Sequence, residues 1–341
     1  IMATDVADMS IRALDMCRLG PILARDVDAL MGGAPVTAMF VQNVNPADVA
    51  PDTRSVRDGL ARNDLFLCVH EQFMTETAKF ADIVLPATMF VEHEDFYRGG
   101  GHVYLQVHRA IIEPYEECWS NSDVINALGQ RLGANHPAFS MSGVELIDAS
   151  LKASGLPGFE KAADQRWINF AKCFEDAHFL NGFGHPDGKF HFAADWSAIS
   201  ADNDLLPRLP DHAAITDEAS EAKPFRLIAP PARRFLNTSF TEMPSSRVRE
   251  VGPEVLIHPD ACKRLGLSDG DRVRLGNDLG SVVLPVKIFD GLQRDVVVVE
   301  GIWPSEYFEE GLGINVLISA DRPQPLGGGV FHDTSVWVKA G

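Results

Sequence analysis

The chain has 341 residues, enough for two or three domains at roughly 150 residues each. Acidic side chains outnumber basic ones 48 to 30, and the resulting net charge of −18 argues against nucleic acid or an anionic membrane as the main partner. Hydrophobic residues make up 45% and charged residues 23%, which excludes a disordered or low-complexity chain.

In chain order, Ile11, Leu14, Met16, Leu19, Ile22 and Leu23 recur at mixed three- and four-residue spacing and predict an amphipathic helix within 11–30. The apolar run 36–41 is bounded by Pro35 and by Gln42-Asn43-Val44-Asn45-Pro46, the pattern of a strand buried on both faces. A helix is expected over 53–63. Leu65-Phe66-Leu67-Cys68-Val69 then repeats the strand pattern and ends at His70-Glu71. A short helix over 75–80 and a strand Ile83-Val84-Leu85, closed by Pro86, follow. This alternation is that of a parallel α/β sheet, expected over 31–135. Asn121 or Ser122 is placed to cap a helix over 123–131, stopped at Gly133. Helices are also expected over 144–153 and 165–174, and a linker over 202–222. After Pro224 the character changes to short β-rich runs at 225–229, 255–257, 272–275, 281–286, 296–300 and 335–338. Ser268-Asp269-Gly270-Asp271 and Asn277-Asp278-Leu279-Gly280 punctuate them as turns, and one short helix intrudes at 260–265. The expected fold class is therefore α/β: a parallel-sheet domain over 1–140, a helical extension and linker over 141–223, and a small six- or seven-stranded β-barrel over 224–341.

Self-contained catalytic sets are absent: there is no GxGxxG after a strand, no GxxxxGK[ST], no HExxH and no GxSxG. The five cysteines (17, 68, 118, 173 and 262) are scattered and form no CxxC pair. They fit separate thiols in a reducing compartment, so a cytoplasmic location is expected, with no zinc or iron–sulfur site made by this chain alone. His70, Glu71, His93, Glu94 and Asp95 lack the spacing of a metal ligand set. No apolar run approaches the ~18 residues of a membrane span. Gly99-Gly100-Gly101 and Gly327-Gly328-Gly329 read as turns. What stands out is positional. Gln42–Asn45 and His70-Glu71 fall at the carboxyl ends of predicted parallel strands, where ligands of open α/β sheets bind. Thr75 and Thr77 open a helix, where free N–H groups favour phosphate. From periodicity alone the threonines are equally well plain N-caps, and His70-Glu71 a solvated loop.

The ordered set of motifs resembles a known family. Met39-Phe40-Val41-Gln42-Asn43-Val44-Asn45-Pro46-Ala47 leading to Pro51-Asp52, then Val69-His70-Glu71-Gln72-Phe73-Met74-Thr75-Glu76-Thr77-Ala78, then Ala81-Asp82-Ile83-Val84-Leu85-Pro86-Ala87-Thr88 and Glu92 to Asp95 resemble the third domain of molybdopterin oxidoreductases of the dimethyl-sulfoxide-reductase family. Asp187-Gly188-Lys189-Phe190-His191-Phe192 is similar to that family's GK-x-E-F strand, with His191 in place of Glu. Phe235-Leu236-Asn237-Thr238-Ser239, His258-Pro259-Asp260-Ala261, Leu265 to Asp271, Gly313-Ile314-Asn315-Val316-Leu317 and Phe331-His332-Asp333 resemble its fourth domain.

The resemblance implies a double-psi barrel and two molybdopterin guanine dinucleotides carrying molybdenum or tungsten. It implies dinucleotide contacts at Asn43, Asn45, His70, Glu71, Thr75, Thr77, His93 and Asn121, and at Arg233, Arg234, Asn237, Thr238, Ser239, Tyr307, Asn315 and His332. Arg233 and Arg234 would pair with phosphate, and Tyr307, Asn315 and His332 would close over the pterin. Asn45, His70, Glu71, Asn237 and Asn315 are expected around one cleft. The family's polypeptide is longer than this chain. The missing part would precede Ile1 and would hold the metal-ligating side chain and any iron–sulfur cysteines. No catalytic residue and no metal ligand is therefore assigned here. The implied activity is oxygen-atom transfer or formate-type oxidation of a small substrate, with an electron-transfer partner and the N-terminal half of the same enzyme; this portion alone would be inactive. The alternatives are a non-redox structural relative within an electron-transfer assembly and a stand-alone ligand-binding module.

Overall fold

Three short apolar strands, β1 (Ala38–Gln42), β2 (Phe66–Glu71) and β3 (Ile83–Pro86), form a parallel sheet in that order in a computed structural model that describes residues 10–193, 195–198, 206–209, 217–250, 252–323 and 327–341. Phe66 N donates to Thr37 O at 2.8 Å, and Asp82 N donates to Leu67 O at 2.8 Å. Parallel neighbours need a crossover, supplied here by helices Pro46–Val49 and Thr53–Leu60, then by Glu76–Lys79. Asp52 caps the second of these through a 3.3 Å bond from Ser55 N. Its apolar face then buries Val56 and Leu60 against Leu23, Val41, Leu67 and Val69. Helix contact is close because Gly59 has no side chain: a Cβ there would meet Leu23 Cβ at 2.4 Å.

The chain divides into two compact units that do not follow sequence order. The larger takes Arg12–Val69, Phe73–Val84 and the described part of Ala193–Gly341. The smaller is built mainly from His70–Gln72 and Leu85–Phe192.

In the larger unit, strands β7 (Phe225–Ile228), β8 (Val255–Ile257), β9 (Arg272–Gly276), β10 (Ser281–Ile288), β11 (Val296–Val298) and β12 (His332–Ala340) close a six-stranded barrel in the order β10-β8-β11-β7-β12-β9. Two pairings, β10 with β8 and β11 with β7, are parallel; the others are antiparallel. Along β10 burial alternates, with Val282, Leu284 and Val286 inside. They meet Phe225, Leu227, Ile257, Leu275 and Val336 in one core. The predicted turn at Asn277 holds: its N bonds Gly280 O at 3.0 Å and its side-chain oxygen accepts from Leu279 N at 3.0 Å. Helix Pro259–Leu265 is capped by His258 and ended by Gly266 at φ +69°.

The smaller unit carries a second sheet that sequence reading did not foresee: β4 (Asp95–Arg98), β5 (Tyr104–His108) and β6 (Trp167–Asn169), all antiparallel. Gly99-Gly100-Gly101 form the turn between β4 and β5. The helix expected over 165–174 is overturned. Helix Phe159–Gln165 stops at Arg166, which takes φ +66°, and Trp167–Asn169 pairs with β5 instead. The helix within 11–30 is also shorter than expected. Asp15 caps a 3₁₀ turn at Met16–Arg18, helix Leu19–Leu23 follows, and Arg25 at φ +68° ends the run. Asp187–Phe192 makes no strand; His191 Nε2 instead stands 3.1 Å from both Asp187 carboxylate oxygens. Helix Gly143–Ala153 matches expectation, opened by a Ser142/Glu145 capping box. Helix Asn121–Arg131 is present too, but its cap is Ser120, whose hydroxyl accepts from Asp123 N, so Asn121 and Ser122 fall inside the first turn and not at the cap. The expected linker 202–222 lies largely outside the described residues. Among the described residues no helix is long and apolar enough to cross a membrane.

Candidate functional site

Beyond β1 the chain turns through Asn43, held at φ +51°, a left-handed conformation that asparagine tolerates better than most residues. Asn237 in the barrel's 235–239 loop takes φ +50°. Between the segments that follow lies a cavity of about 590 Å³ in the larger unit. Its polar lining includes Gln42, Asn237, Asn315 and His332, and its apolar wall includes Met39, Val49, Ile302 and Phe331. Among the described residues no Asp or Glu lines it, in a chain with 48 of them. Side-chain amides offer both donors and acceptors, which suits the edge of a heteroaromatic base. A lining free of carboxylates lets an anionic ligand enter without like-charge repulsion.

Asn45 does not line this cavity. It is 6% exposed and makes all its hydrogen bonds inside the protein. Its Nδ2 donates to Asp48 Oδ2 at 2.9 Å and to Thr238 Oγ1 at 3.3 Å. Its Oδ1 accepts from Thr77 N at 3.0 Å and from the Thr77 hydroxyl at 2.8 Å. Thr77 Oγ1 in turn accepts from Ala47 N at 3.0 Å. Thr75 acts as the N-cap of Glu76–Lys79, accepting from Ala78 N at 3.3 Å. Burial pushes the Asp48 carboxyl above the ordinary carboxylate range, against the opposing pull of its Ser305 and Asn45 hydrogen bonds.

His70 and Glu71 end β2 and belong to the smaller unit. His70 is fully buried, with Nε2 3.1 Å from Trp119 O, and burial lowers its pKa so that the neutral ring is favoured. Glu71 is half-buried, accepts from Gln72 N at 2.8 Å, and is pushed up by burial. His93 and Asn121 share a second cavity of about 790 Å³ with Glu94, Asp95, Trp119 and Asp123. His93 Nδ1 lies 2.8 Å from Thr88 Oγ1. The remaining expected residues scatter. Arg233 and Arg234 are exposed and line neither cavity. Ser239 closes a tight turn with Leu236. Tyr307 packs against Trp303 at 5.1 Å between ring centroids. Sequence reading missed Ser305 and Asp48, which carried no motif signal, and the lining role of Ile302.

Two family models match the chain. Residues 225–335 match a molybdopterin dinucleotide binding domain, and residues 23–131 match molybdopterin oxidoreductase. The chain belongs to the molybdopterin oxidoreductases. Among relatives, the probable oxidoreductase YoaE of Bacillus subtilis is 31% identical over 321 residues, covering 93% of this chain and 45% of the relative. The trimethylamine-N-oxide reductase of Haemophilus influenzae is 25% identical over 335 residues, 87% of this chain and 40% of the relative. Among solved structures, acetylene hydratase from Pelobacter acetylenicus superposes with a TM-score of 0.78 at 20% identity, over 95% of this chain and 46% of that one, a likeness of fold. This molybdopterin oxidoreductase chain thus spans less than half the length of these relatives. Both matched segments contribute to the 590 Å³ cavity, 23–131 through residues within 39–51 and 225–335 through residues within 229–332.

Proposed function

We propose that the larger unit holds a guanine dinucleotide of molybdopterin in its 590 Å³ cavity, as the cofactor-holding portion of an oxidoreductase that moves an oxygen atom, or oxidises a formate-like molecule, at a small substrate. The observation that carries this reading is the lining: three side-chain amides and an imidazole on an apolar wall with no carboxylate among the described residues, in a chain of net charge −18. The donor set fits the group. Gln42 and Asn237 would meet the polar edges of a pterin or guanine, Asn315 would hold the wall by its bonds to the Asp48 and Val49 carbonyls, and the walls around Met39, Val49 and Phe331 would take the flat faces. Molybdenum or tungsten carried by the pterin would supply the two-electron redox chemistry. The chain's own part is to bind and orient the dinucleotide and to keep water from its ring faces. Arg233 and Arg234, exposed on the loop before Asn237, would attract phosphate on approach. An electron-transfer partner and a cytoplasmic location complete the proposal, the latter supported by five free cysteines.

Isothermal titration with guanosine diphosphate tests it. Binding is expected, and Asn237→Ala and Gln42→Ala are each expected to weaken it about 5- to 10-fold, the worth of one hydrogen bond of ~1 kcal/mol. Lys263→Ala, on the barrel's outer helix, should bind like wild type. No binding by the wild-type chain, or unchanged binding by both cavity variants, rejects the assignment.

A further inference from the structure

Asp48 stands behind the 590 Å³ cavity and not on its lining. It is 1% exposed, on a helix of four residues, Pro46–Val49. A helix that short has no stability of its own, because nucleation fixes several residues for a single hydrogen bond. What holds it is a set of bonds to the barrel. Asp48 Oδ1 accepts from Ser305 N at 3.3 Å and from the Ser305 hydroxyl. Its other oxygen accepts from Asn45 Nδ2 at 2.9 Å. Asn315 Nδ2 donates to the carbonyls of Val49 at 2.8 Å and Asp48 at 3.5 Å. Arg57 closes the group: Nη1 donates to Ser305 Oγ at 3.0 Å and lies 3.9 Å from the Asp48 carboxylate, while Nη2 reaches Glu76 at 3.2 Å. Pro46, Val49 and Ala50 wall the cavity on one side, and Ile302 and Asn315 on the other. The two walls are therefore joined twice, by the Asp48 carboxylate on Ser305 and by Asn315 on the Val49 carbonyl.

A buried charge is a poor source of stability, since desolvation offsets most of its attraction; its attested use is to fix one arrangement among several. We propose that Asp48 is a positioning residue. It sets the register of 44–50 against Ser305 and Asn315, so that the cavity is preformed before any ligand arrives. An apolar side chain of similar size would fill the space and leave the register free. The ligand arm of the test rests on reading this cavity as a guanine-dinucleotide site; the structural arm does not.

Hydrogen exchange by mass spectrometry on the full chain, without ligand, provides the structural arm. Asp48→Ala should raise exchange together in 44–52 and in 313–318, which share no strand, while hairpin β9–β10 keeps its protection. Ser305→Ala, which removes the same hydroxyl bond from the other side, should raise exchange in the same two segments to a lesser degree, and the double variant should add little to Asp48→Ala. Guanosine diphosphate affinity gives the second arm. Asp48→Ala should lose about 10-fold or more, and Asp48→Asn, which keeps the shape and one oxygen for Ser305 but turns an N–H2 toward the Asn45 donor, should recover part of it. Exchange that rises in 44–52 alone, or equal losses of affinity in Asp48→Ala and Asp48→Asn, would overturn the proposal. If wild type fails to bind guanosine diphosphate, the cavity assignment falls and exchange alone decides on Asp48. Should Asp48→Ala not fold, Ser305→Ala decides: unchanged exchange in 313–318 rejects the coupling.

Discussion

Replacing Asn45 by alanine separates two roles that a single polar residue near a cavity can play. A residue whose hydrogen bonds are reserved for ligand loses affinity on truncation and leaves the fold intact. Asn45 uses its capacity internally, so its truncation should be felt in stability. Each of the two neutral bonds from Thr77, at 3.0 and 2.8 Å, contributes about 1 kcal/mol net, and the bond to the Asp48 carboxylate about 1.5–3 kcal/mol. The 3.3 Å contact with Thr238 is at the weak end of the range. Thr77 can swing its hydroxyl to another acceptor, but its buried N–H cannot move. The expected loss is therefore about 4 kcal/mol. Urea unfolding followed by tryptophan fluorescence reads it as a lower midpoint at unchanged slope. Thr238→Val should cost under ~1 kcal/mol in the same assay. The reasoning is refuted if Asn45→Ala costs under ~1 kcal/mol, or if Thr238→Val costs as much as Asn45→Ala.

Other expectations follow from burial and charge. Because burial raises the Asp48 pKa, the folded state favours its protonated form; the stabilisation from that proton is full at low pH and lost as pH rises through the folded pKa. Asp48→Asn should therefore gain stability relative to wild type on going from pH 4 to pH 7, and a gap independent of pH would count against it. His70 runs the other way: its lowered pKa means the neutral ring's contribution holds above the ordinary value of 6.5 and fades as pH falls below it. His70→Gln should flatten that acid limb in denaturant titrations at pH 5 to 7. Leu284→Ala, at a fully buried barrel position, should cost about 2–5 kcal/mol. Gly59→Ala should destabilise the larger unit despite alanine's better helix propensity, since its Cβ would stand 2.4 Å from Leu23 Cβ; a raised melting temperature would contradict the packing.

The parallel strands and the barrel were legible because each is a short apolar run cut off by Pro, Gly or Asp-rich turns, and period alone identifies them. Strands β4 to β6 were not. Asp95-Phe96-Tyr97-Arg98 carries charge at both ends, and Trp167-Ile168-Asn169 directly follows a helix whose stop is a backbone angle at Arg166, not a glycine or proline. For the candidate site, strand-end position and the asparagine-rich loops drew attention to segments that line the 590 Å³ cavity, where Asn237, Asn315 and His332 occur together. The knot behind it was invisible. Asn45 and Thr238 are 193 residues apart, and Asp48 and Ser305 are 257 apart, so no local pattern announces either bond. Resemblance could name Asn45 as important without saying that its partners are protein atoms.

Strand β12 pairs with β7 on one side and with β9 on the other. Phe225 meets Val336 across 111 residues. On a ribosome adding about 5–20 residues per second, the first barrel strand waits on the order of 10 s for its neighbour. During that interval Phe225 and Leu227 lack their β12 neighbours and stay open on that side to solvent or a chaperone. Nascent chains stalled before residue 332 should therefore be sticky and protease-sensitive, and those released after residue 340 should not. The order of synthesis, as much as the final energy, decides how much of this protein reaches the state in which a cofactor can be inserted.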